Sequence, residues 1–357
     1  MLIDAWGHLS YFLKDFSLYL VLLLASFTLF TWFSIRVFRS DASETKKRTL
    51  MVIFFTMFSI IVLYSGFEAY FRYSFDQSDS LGFLQVNGRW QQRHVVFNNY
   101  YSRDRNFDVN KKAGVIRIGV LGDSVTMGYG IKDVDNRFSN ILEKKLRSEG
   151  VNVEVYNLGQ SGYDTCAEIG LYKQVRNLKF DWIIWSYYVN DAQPCGKSTG
   201  TQVLIENNIQ GKIARFLSHY SFFFDYAYWK LSTRYDRTFV DLKTADIAAY
   251  HNKTNFQNHK KDVESLIGEL KKDNVKTLVI IFPFMRFFPN YPAEDIHRTM
   301  NNIFHENGLQ TIDMLDSLRG KHSEDLVVSE FDYHPNKYVN RLAADRLNEV
   351  LKKQLSK

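Results

Sequence analysis

Ser124 lies in a glycine-rich turn, GVLGDSVTMGYG (residues 119–130), at the end of an apolar, β-branched run. A strand that ends in such a turn holds its serine at the edge of a sheet, where a substrate can reach it. A serine hydroxyl becomes an effective nucleophile once a nearby base takes its proton. The plainer interpretation is that Asp123 or Ser124 only caps the helix that follows. The turn lacks the Gly-Lys-Ser/Thr ending of a phosphate-binding loop and the last glycine of a Gly-x-Ser-x-Gly elbow.

Three further polar motifs follow along the chain, and each comes after a predicted strand or before a predicted helix. They are YNLGQSGY (156–163), WSYYVND (185–191) and EFDYHPN (330–336). Glycines in the first motif allow backbone N–H groups to approach a ligand closely. The second motif provides an amide side chain, Asn190. Of the nine histidines, His334 is the one that lies in a loop beside carboxylates at the expected edge of the sheet.

Alternating strands and helices must position these motifs. The apolar runs predict five strands, at Val115–Leu121, Val151–Tyr156, Trp182–Tyr188, Val275–Phe282 and Gln310–Met314. Amphipathic helices are predicted between them and at Lys337–Leu351, the last element. This order favours right-handed crossovers and a parallel sheet covered on both faces. Such sheets bind ligands beyond the carboxyl ends of their strands, where all four motifs are expected.

Taken together, the four motifs resemble the blocks of the GDSL/SGNH hydrolase family. The matching residues are Gly122-Asp123-Ser124, the turn at Gly162, Asn190-Asp191 and His334-Pro335-Asn336. The resemblance implies an α/β fold, a three-layer α/β/α sandwich with a mostly parallel, flavodoxin-like sheet. It covers Val115 to the C-terminus, with residues 193–255 as an insertion.

The resemblance also implies roles for four residues. Ser124 would be the nucleophile and His334 its general base. The backbone N–H groups of Ser124 and Gly162, with the side-chain amide of Asn190, would form the oxyanion hole. These roles need neither a cofactor nor a metal, and we expect none.

Two positions depart from the family pattern. Tyr188 stands where the family usually has a glycine, two residues before the asparagine. Phe331 stands where the family usually has its acid, three residues before the histidine. Asp332, two residues before His334, is the predicted catalytic acid, and Glu330 is the reserve candidate.

The two cysteines of the chain follow the second and third motifs, as Cys166 and Cys195. Parallel-sheet topology brings these two loops together near the predicted active edge. We therefore predict a disulfide between them; the alternative is two unpaired thiols.

Two long uncharged runs near the N-terminus, Phe16–Ile35 and Thr49–Phe67, have about the length that crosses a bilayer. They predict a two-span membrane hairpin in preference to buried core helices or a signal peptide. The connection between them is rich in Arg and Lys, which marks the cytoplasmic side. The N-terminus and the rest of the chain are therefore expected outside the cytoplasm, held to the cytoplasmic (inner) membrane.

These patterns divide the 357 residues into three parts: a transmembrane hairpin (1–71), an aromatic connector packed on the domain (72–112) and the hydrolase domain (113–357). The aromatic region 213–242 is predicted to be partly helical. It would form a lid over an acyl pocket, a surface that touches the bilayer, or additional helices packed on the sheet. The net charge of +6 is spread over separated lysine groups, so nucleic-acid binding is not expected.

The function predicted from these features is a membrane-anchored serine esterase. It would hydrolyse O-acyl, short-chain esters of extracytoplasmic glycans or lipids through an acyl-serine. An alternative is an O-acyltransferase that modifies an envelope polysaccharide with a membrane partner as acyl donor. A second alternative is a catalytically inactive glycan-binding domain, if Tyr188 and Phe331 mark lost catalysis.

Overall fold

The computed structural model describes residues 2–192, 209 and 211–355, with side chains from residue 20 onward. Its chain forms two compact units. The first comprises Met1–Phe75 and Ile213–Tyr228, and the second comprises Asp76–Lys212 and Trp229–Lys357.

The second unit is built on a five-stranded, wholly parallel sheet. Its strands are β1 (Ile116–Gly122), β2 (Val153–Asn157), β3 (Trp182–Tyr188), β4 (Lys276–Phe282) and β5 (Gln310–Asp313). Their order across the sheet is β2-β1-β3-β4-β5. β3 and the last five residues of β4 are buried throughout, as expected for strands covered on both faces.

Helices cover both faces of this sheet, and aromatic contacts identify which helix lies on which face. Among the described residues, the helices of this unit are α3 (Gln85–His94), α4 (Ser124–Met127), α5 (Phe138–Ser148), α6 (Thr165–Val175), α9 (Arg234–His251), α10 (Lys253–Lys272), α11 (Glu294–Glu306), α12 (Met314–Leu318) and α13 (Lys337–Leu355). On one face, the Trp185 indole donates a hydrogen bond to Glu168 of α6 and its ring contacts Phe304 of α11. On the other face, Phe282 contacts Phe138 of α5, which packs against α13. The predicted α/β/α sandwich with a flavodoxin-like sheet is confirmed.

The strand order determines where a ligand can bind. The chain leaves β1 toward β2 and then returns past β1 to β3, so the winding reverses between β1 and β3. At such a switch point the loops diverge and leave a crevice beyond the carboxyl ends of the strands. Ser124 follows β1 and Asn190 follows β3, so both lie at this crevice.

The first unit contains two long N-terminal helices, α1 (Leu2–Phe38) and α2 (Glu44–Ala69). The rings of Phe30 and Phe58 stack at 4.7 Å between their centroids, and those of Phe33 and Phe54 at 3.8 Å. Large apolar side chains elsewhere on both helices are exposed. The segments Leu20–Phe38 and Glu44–Ser74 are long and apolar enough to cross a bilayer, by length and composition.

Part of the aromatic insertion belongs to this first unit. Helices α7 (Lys212–Tyr220) and α8 (Phe222–Leu231) meet at Ser221, next to Glu68 near the end of α2. The Glu68 carboxylate is buried and accepts hydrogen bonds from the Ser221 hydroxyl (2.7 Å) and the Phe222 and Phe223 N–H groups (3.1 and 3.0 Å). It thereby satisfies donors at the start of α8 that the helix leaves unpaired.

The structure divides the aromatic region more finely than the sequence does. Residues 213–228 pack with the N-terminal helices, whereas α9 belongs to the unit that contains the sheet. The connector 72–112, which shows no periodicity, contains helix α3. Its residues from Asp76 onward also belong to the unit that contains the sheet.

Candidate active site

The turn after β1 places Ser124 as the first residue of the short helix α4. The Asp123 side chain accepts a hydrogen bond from the Val125 N–H at 2.8 Å, so Asp123 caps this helix. Burial raises the pKa of Asp123, opposed by the Val125 N–H and by the charge of His334. The side chain of Ser124 is therefore presented by a turn that is itself buried and hydrogen-bonded.

Ser124, His334 and Asp332 form a continuous chain of hydrogen bonds. The Ser124 Oγ lies 2.9 Å from His334 Nε2, and His334 Nδ1 lies 2.6 Å from Asp332 Oδ1. The Asp332 side chain is fully buried, and that of His334 is 14 % exposed. These are the distances at which a base accepts a serine proton while a carboxylate orients the ring.

The pKa of Asp332 reflects this arrangement. Burial alone raises the pKa of a carboxyl group. The positive charge of His334 and hydrogen bonds from His334 and Ser78 outweigh burial and lower the pKa of Asp332 below its ordinary value. Asp332 is therefore ionised at neutral pH, as a partner for an imidazolium must be.

The reserve candidate Glu330, and Phe331 at the family's usual acid position, both point away from His334. Glu330 forms an ion pair with Lys230, and its side chain is 46 % exposed. Phe331 is buried, and its ring contacts that of Tyr235. Of the two carboxylates that the sequence offered, Asp332 is the one in contact with His334.

Ser80, which sequence reasoning missed, contacts the same loop. Its hydroxyl accepts a hydrogen bond from the Tyr333 N–H (2.8 Å), donates to Asp332 Oδ1 (3.3 Å) and lies 3.4 Å from His334 Nδ1. Ser80 lies in the connector, about 40 residues before the glycine-rich turn, and nothing in its local sequence distinguishes it from other polar loop residues.

Tyr129 supports His334 from another side. Its ring lies 5.0 Å from the imidazole, and its hydroxyl donates to Asn87 Oδ1 (2.8 Å) and accepts from Gln91 Nε2 (2.9 Å). Burial raises the pKa of Tyr129 to about 12, so its hydroxyl stays protonated. Tyr129 belongs to the glycine-rich turn, but its contact with connector helix α3 has no signal in the sequence.

Gly130 shows why this turn is rich in glycine. Its φ is +84°, and a Cβ there would lie 2.5 Å from Asp332 Oδ2. A side chain at this position would displace the carboxylate that orients His334.

The predicted oxyanion donors line the same crevice. Gly162 has a φ of +79° and lies in the turn after β2, and it lines the crevice together with Ser124 and Asn190. The Asn190 side-chain amide also lowers the pKa of the Asp123 carboxyl, against the larger effect of burial. The predicted donors Gly162 and Asn190 therefore lie on separate loops that line the same crevice as Ser124.

The crevice has a volume of about 600 Å³, and polar and apolar atoms contribute about equally to its wall. Connector residues form part of it, including Asp79, Asn87 and Gln91. Tyr188, which replaces the usual glycine, also lines the crevice, and its ring packs edge-on against Phe284 at 5.3 Å. Asp79 accepts backbone hydrogen bonds from Leu81, Gly82 and Leu84, and burial raises its pKa to about 6.

Cys166, at the start of α6, is disulfide-bonded. Cys195 lies outside the described residues, so the pairing of these two cysteines stays a prediction. In the described part of the chain, no group of three or more His, Cys, Asp or Glu side chains is arranged to hold a metal ion.

The parallel sheet, the Ser-His-Asp contacts and the crevice at the switch point are those of a hydrolase with a flavodoxin-like α/β fold. A family model described as the GDSL-like lipase/acylhydrolase family matches residues 120–342, which is more than half of the chain. The chain belongs to this family and is an ester hydrolase.

Solved structures of esterases and lipases are similar to this chain at low sequence identity. The psychrotrophic esterase EstA from Pseudoalteromonas sp. is 16 % identical, with 68 % of this chain and 99 % of that chain covered and a TM-score of 0.41. The lipase/acylhydrolase from Enterococcus faecalis is 16 % identical, with 67 % and 96 % covered and a TM-score of 0.42. A two-domain esterase (CEX) active on acetylated mannans is 14 % identical, with 69 % and 51 % covered and a TM-score of 0.41. No curated protein matches the chain.

Proposed function

We propose that this protein is a membrane-anchored serine esterase that removes short acyl groups from extracytoplasmic glycans or lipids. The observation that carries the catalytic part is the contact chain from Ser124 Oγ through His334 to Asp332, at 2.9 and 2.6 Å. In this proposal Ser124 is the nucleophile, His334 the general base and Asp332 the acid that orients it.

The first half of the reaction forms an acyl-serine. His334 Nε2 takes the Ser124 hydroxyl proton as Oγ attacks the ester carbonyl carbon. The resulting oxyanion is stabilised by the N–H groups of Ser124 and Gly162 and the side-chain amide of Asn190. Each such donor contributes about 3–4 kcal/mol to lowering the barrier. The imidazolium, stabilised by Asp332, then protonates the departing alcohol oxygen as its bond to the acyl carbon breaks.

The second half regenerates the enzyme. A water molecule gives a proton to His334 as its oxygen attacks the acyl-serine carbonyl, and the same donors stabilise the second oxyanion. When this intermediate collapses, the Ser124 Oγ leaves, recovers its proton from His334, and the carboxylic acid departs.

Hydrolysis of p-nitrophenyl acetate by the purified full-length protein in detergent tests the catalytic proposal. The Ser124→Ala variant is expected to retain less than about 0.1 % of the wild-type kcat, because the remaining binding groups supply only residual catalysis. The variant and the wild type should have the same thermal midpoint. Equal rates for the two proteins would refute the acyl-serine mechanism. If both rates equal that of the uncatalysed reaction, the inactive glycan-binding alternative is favoured.

Support for membrane anchoring comes from the exposed apolar surface of the first unit. Besides α1 and α2, helix α7 exposes Ile213, Phe216, Leu217 and Tyr220 at i, i+3, i+4 and i+7. This spacing places the four side chains on one helix face, as in helices that lie at a membrane surface. The Ile213 side chain is 77 % exposed, and contact between so much apolar surface and water is unfavourable.

The basic loop between α1 and α2 supports an orientation with that loop in the cytoplasm. The hydrolase unit would then face outward from the inner membrane. Alkaline phosphatase fused after the C-terminus is expected to be active and a green fluorescent protein fused there to be dark. The opposite pair of results would reverse the proposed orientation.

Polar side chains in the crevice wall, among them Asn87 and Gln91, also favour a second candidate, an O-acyltransferase, because they can hydrogen-bond a sugar acceptor. The same acyl-serine would pass its acyl group to a sugar hydroxyl instead of water, and a membrane partner would supply the acyl donor. Incubation of the protein with an acyl ester, with and without a polysaccharide acceptor, separates the two by product. Acylated polysaccharide identifies the transferase, whereas free acid alone identifies the esterase.

A further inference from the structure

A buried ion pair forms part of the crevice wall. Lys243 Nζ lies 2.7 Å from Asp246 Oδ2, and the two side chains are only 9 % and 1 % exposed. Both residues belong to α9, three positions apart, and both line the crevice that contains Ser124 and His334. Desolvating two charges costs several kcal/mol per ion, so such a pair is a poor way to stabilise a fold.

The surroundings of Lys243 leave hydrogen-bonding capacity unused. Its Nζ lies over the rings of Phe284, Phe239 and Tyr188, at 5.1, 5.6 and 5.8 Å from their centroids. Ring faces attract a cation but do not replace an oxygen acceptor. An ammonium group has three donors. Among the described residues, Asp246 is the one hydrogen-bond acceptor of this ammonium group.

Charge balance indicates what a ligand there must look like. Asp246 already neutralises Lys243, and other carboxyl groups, Asp79 and Asp164, line the same crevice. An anionic ligand would therefore meet no net positive charge. A hydrocarbon chain would bury the remaining ammonium donors without an acceptor, which is unfavourable. A neutral oxygen-bearing group, such as a sugar hydroxyl, satisfies a donor at no cost in charge.

We infer that Lys243, held in position by Asp246, binds a hydroxyl or ring oxygen of the alcohol part of the ester. The substrate class is then an O-acylated sugar and not a lipid ester. This inference rests on the esterase activity proposed above and assigns Lys243 as a specificity-determining residue and Asp246 as its positioning residue.

The test compares two substrates with the full-length protein in detergent: p-nitrophenyl acetate and a panel of mono-O-acetylated methyl hexosides. The measured quantity is the selectivity ratio, kcat/KM for the best acetylated hexoside over kcat/KM for p-nitrophenyl acetate. Lys243→Met removes the donors and keeps the length of the side chain. It is expected to lower the selectivity ratio by about 10- to 100-fold, the usual effect of losing a hydrogen bond from a charged donor.

Two further variants complete the design. Lys260→Met is the matched control. The Lys260 side chain is 42 % exposed on α10, and its ion pair with Glu264 is long, at 4.0 Å. The selectivity ratio of this variant should equal that of the wild type. Lys243→Gln retains an amide donor and should recover part of the lost selectivity. Lys243→Gln also replaces Lys243→Met as the test variant if Lys243→Met fails to fold, which a measurement of the thermal midpoint reveals.

The outcomes separate this inference from the esterase proposal. A wild-type protein that hydrolyses neither substrate contradicts the proposed function itself. A wild type that hydrolyses p-nitrophenyl acetate but none of the acetylated hexosides overturns only the sugar inference. A change of less than threefold in the ratio for both Lys243 variants overturns the assignment of Lys243.

Discussion

Replacing Asp332 with asparagine removes the charge beside His334 Nδ1 and nearly preserves the shape of the side chain. At the observed 2.6 Å, a carboxylate and an imidazolium attract each other by about 6 kcal/mol at an effective dielectric constant of about 20. Water reaches part of the imidazole, since the His334 side chain is 14 % exposed, and screens some of this attraction. A loss of about 4–5 kcal/mol corresponds to a decrease in kcat of roughly 10³- to 10⁴-fold.

The assay for Asp332→Asn is steady-state hydrolysis of p-nitrophenyl acetate, with the thermal midpoint as a check on folding. Glu330→Gln is the matched control, because this carboxylate lies two residues away but pairs with Lys230 at the surface. It should change kcat by less than about twofold, as exposed ion pairs contribute little. A folded Asp332→Asn protein within threefold of wild type would refute the reasoning. A larger effect from Glu330→Gln would reassign the acid.

Three other substitutions test separate parts of the site and core. Gly130→Ala should lower kcat at least tenfold and destabilise the fold, because the new Cβ would lie 2.5 Å from Asp332 Oδ2 and φ is +84°; kinetics and thermal unfolding measure both effects. Asn190→Ala should lower kcat by about 10²- to 10³-fold with little change in KM, as expected for an oxyanion donor; an effect on KM alone would argue for ground-state binding. His259, which hydrogen-bonds to the Tyr187 hydroxyl, has its pKa lowered to about 4 by burial. As pH falls, His259 is therefore protonated in the unfolded chain before it is protonated in the folded protein. The stability contributed by neutral His259 is complete above about pH 6.5 and is lost between pH 6.5 and 4, by about 3 kcal/mol. His259→Gln should flatten the dependence of the thermal midpoint on pH in that window; an unchanged slope would show that other groups determine it.

The sheet can be predicted well from the sequence because each strand is recognised from residues that are adjacent in the chain. Continuous apolar runs such as Trp182–Tyr188 can be buried strands, and each strand is followed by its own polar motif. Parallel topology then brings the ends of the strands together without any knowledge of distances. Ser124, His334, Gly162 and Asn190 could therefore be placed at one edge of the sheet from pattern alone.

The parts that sequence reasoning left open depend on contacts between distant segments. Whether Asp332 or Glu330 faces His334 is determined by the tight turn at Ser329, where the Ser329 N–H bonds to the Asp332 carbonyl. Ser80 reaches the same turn from about 250 residues away. Lys243 and Asp246 lie on an insertion helix whose charge pattern resembles that of an ordinary solvated face. In each case the deciding contact lies outside any local window of sequence.

The division of the chain between its two units has a consequence for release of the enzyme by proteolysis. The chain passes between the units three times, at residues 75–76, 212–213 and 228–229. A single cut after Phe75 would separate α2 covalently from the hydrolase unit. Residues 213–228 would nevertheless remain continuous with that unit and bound to α2, through Glu68 and the stacking of Phe223 on Phe67 at 5.0 Å. A nicked enzyme is therefore retained by α2, and separating it from α2 requires a second cleavage or the loss of the hydrogen bonds to Glu68.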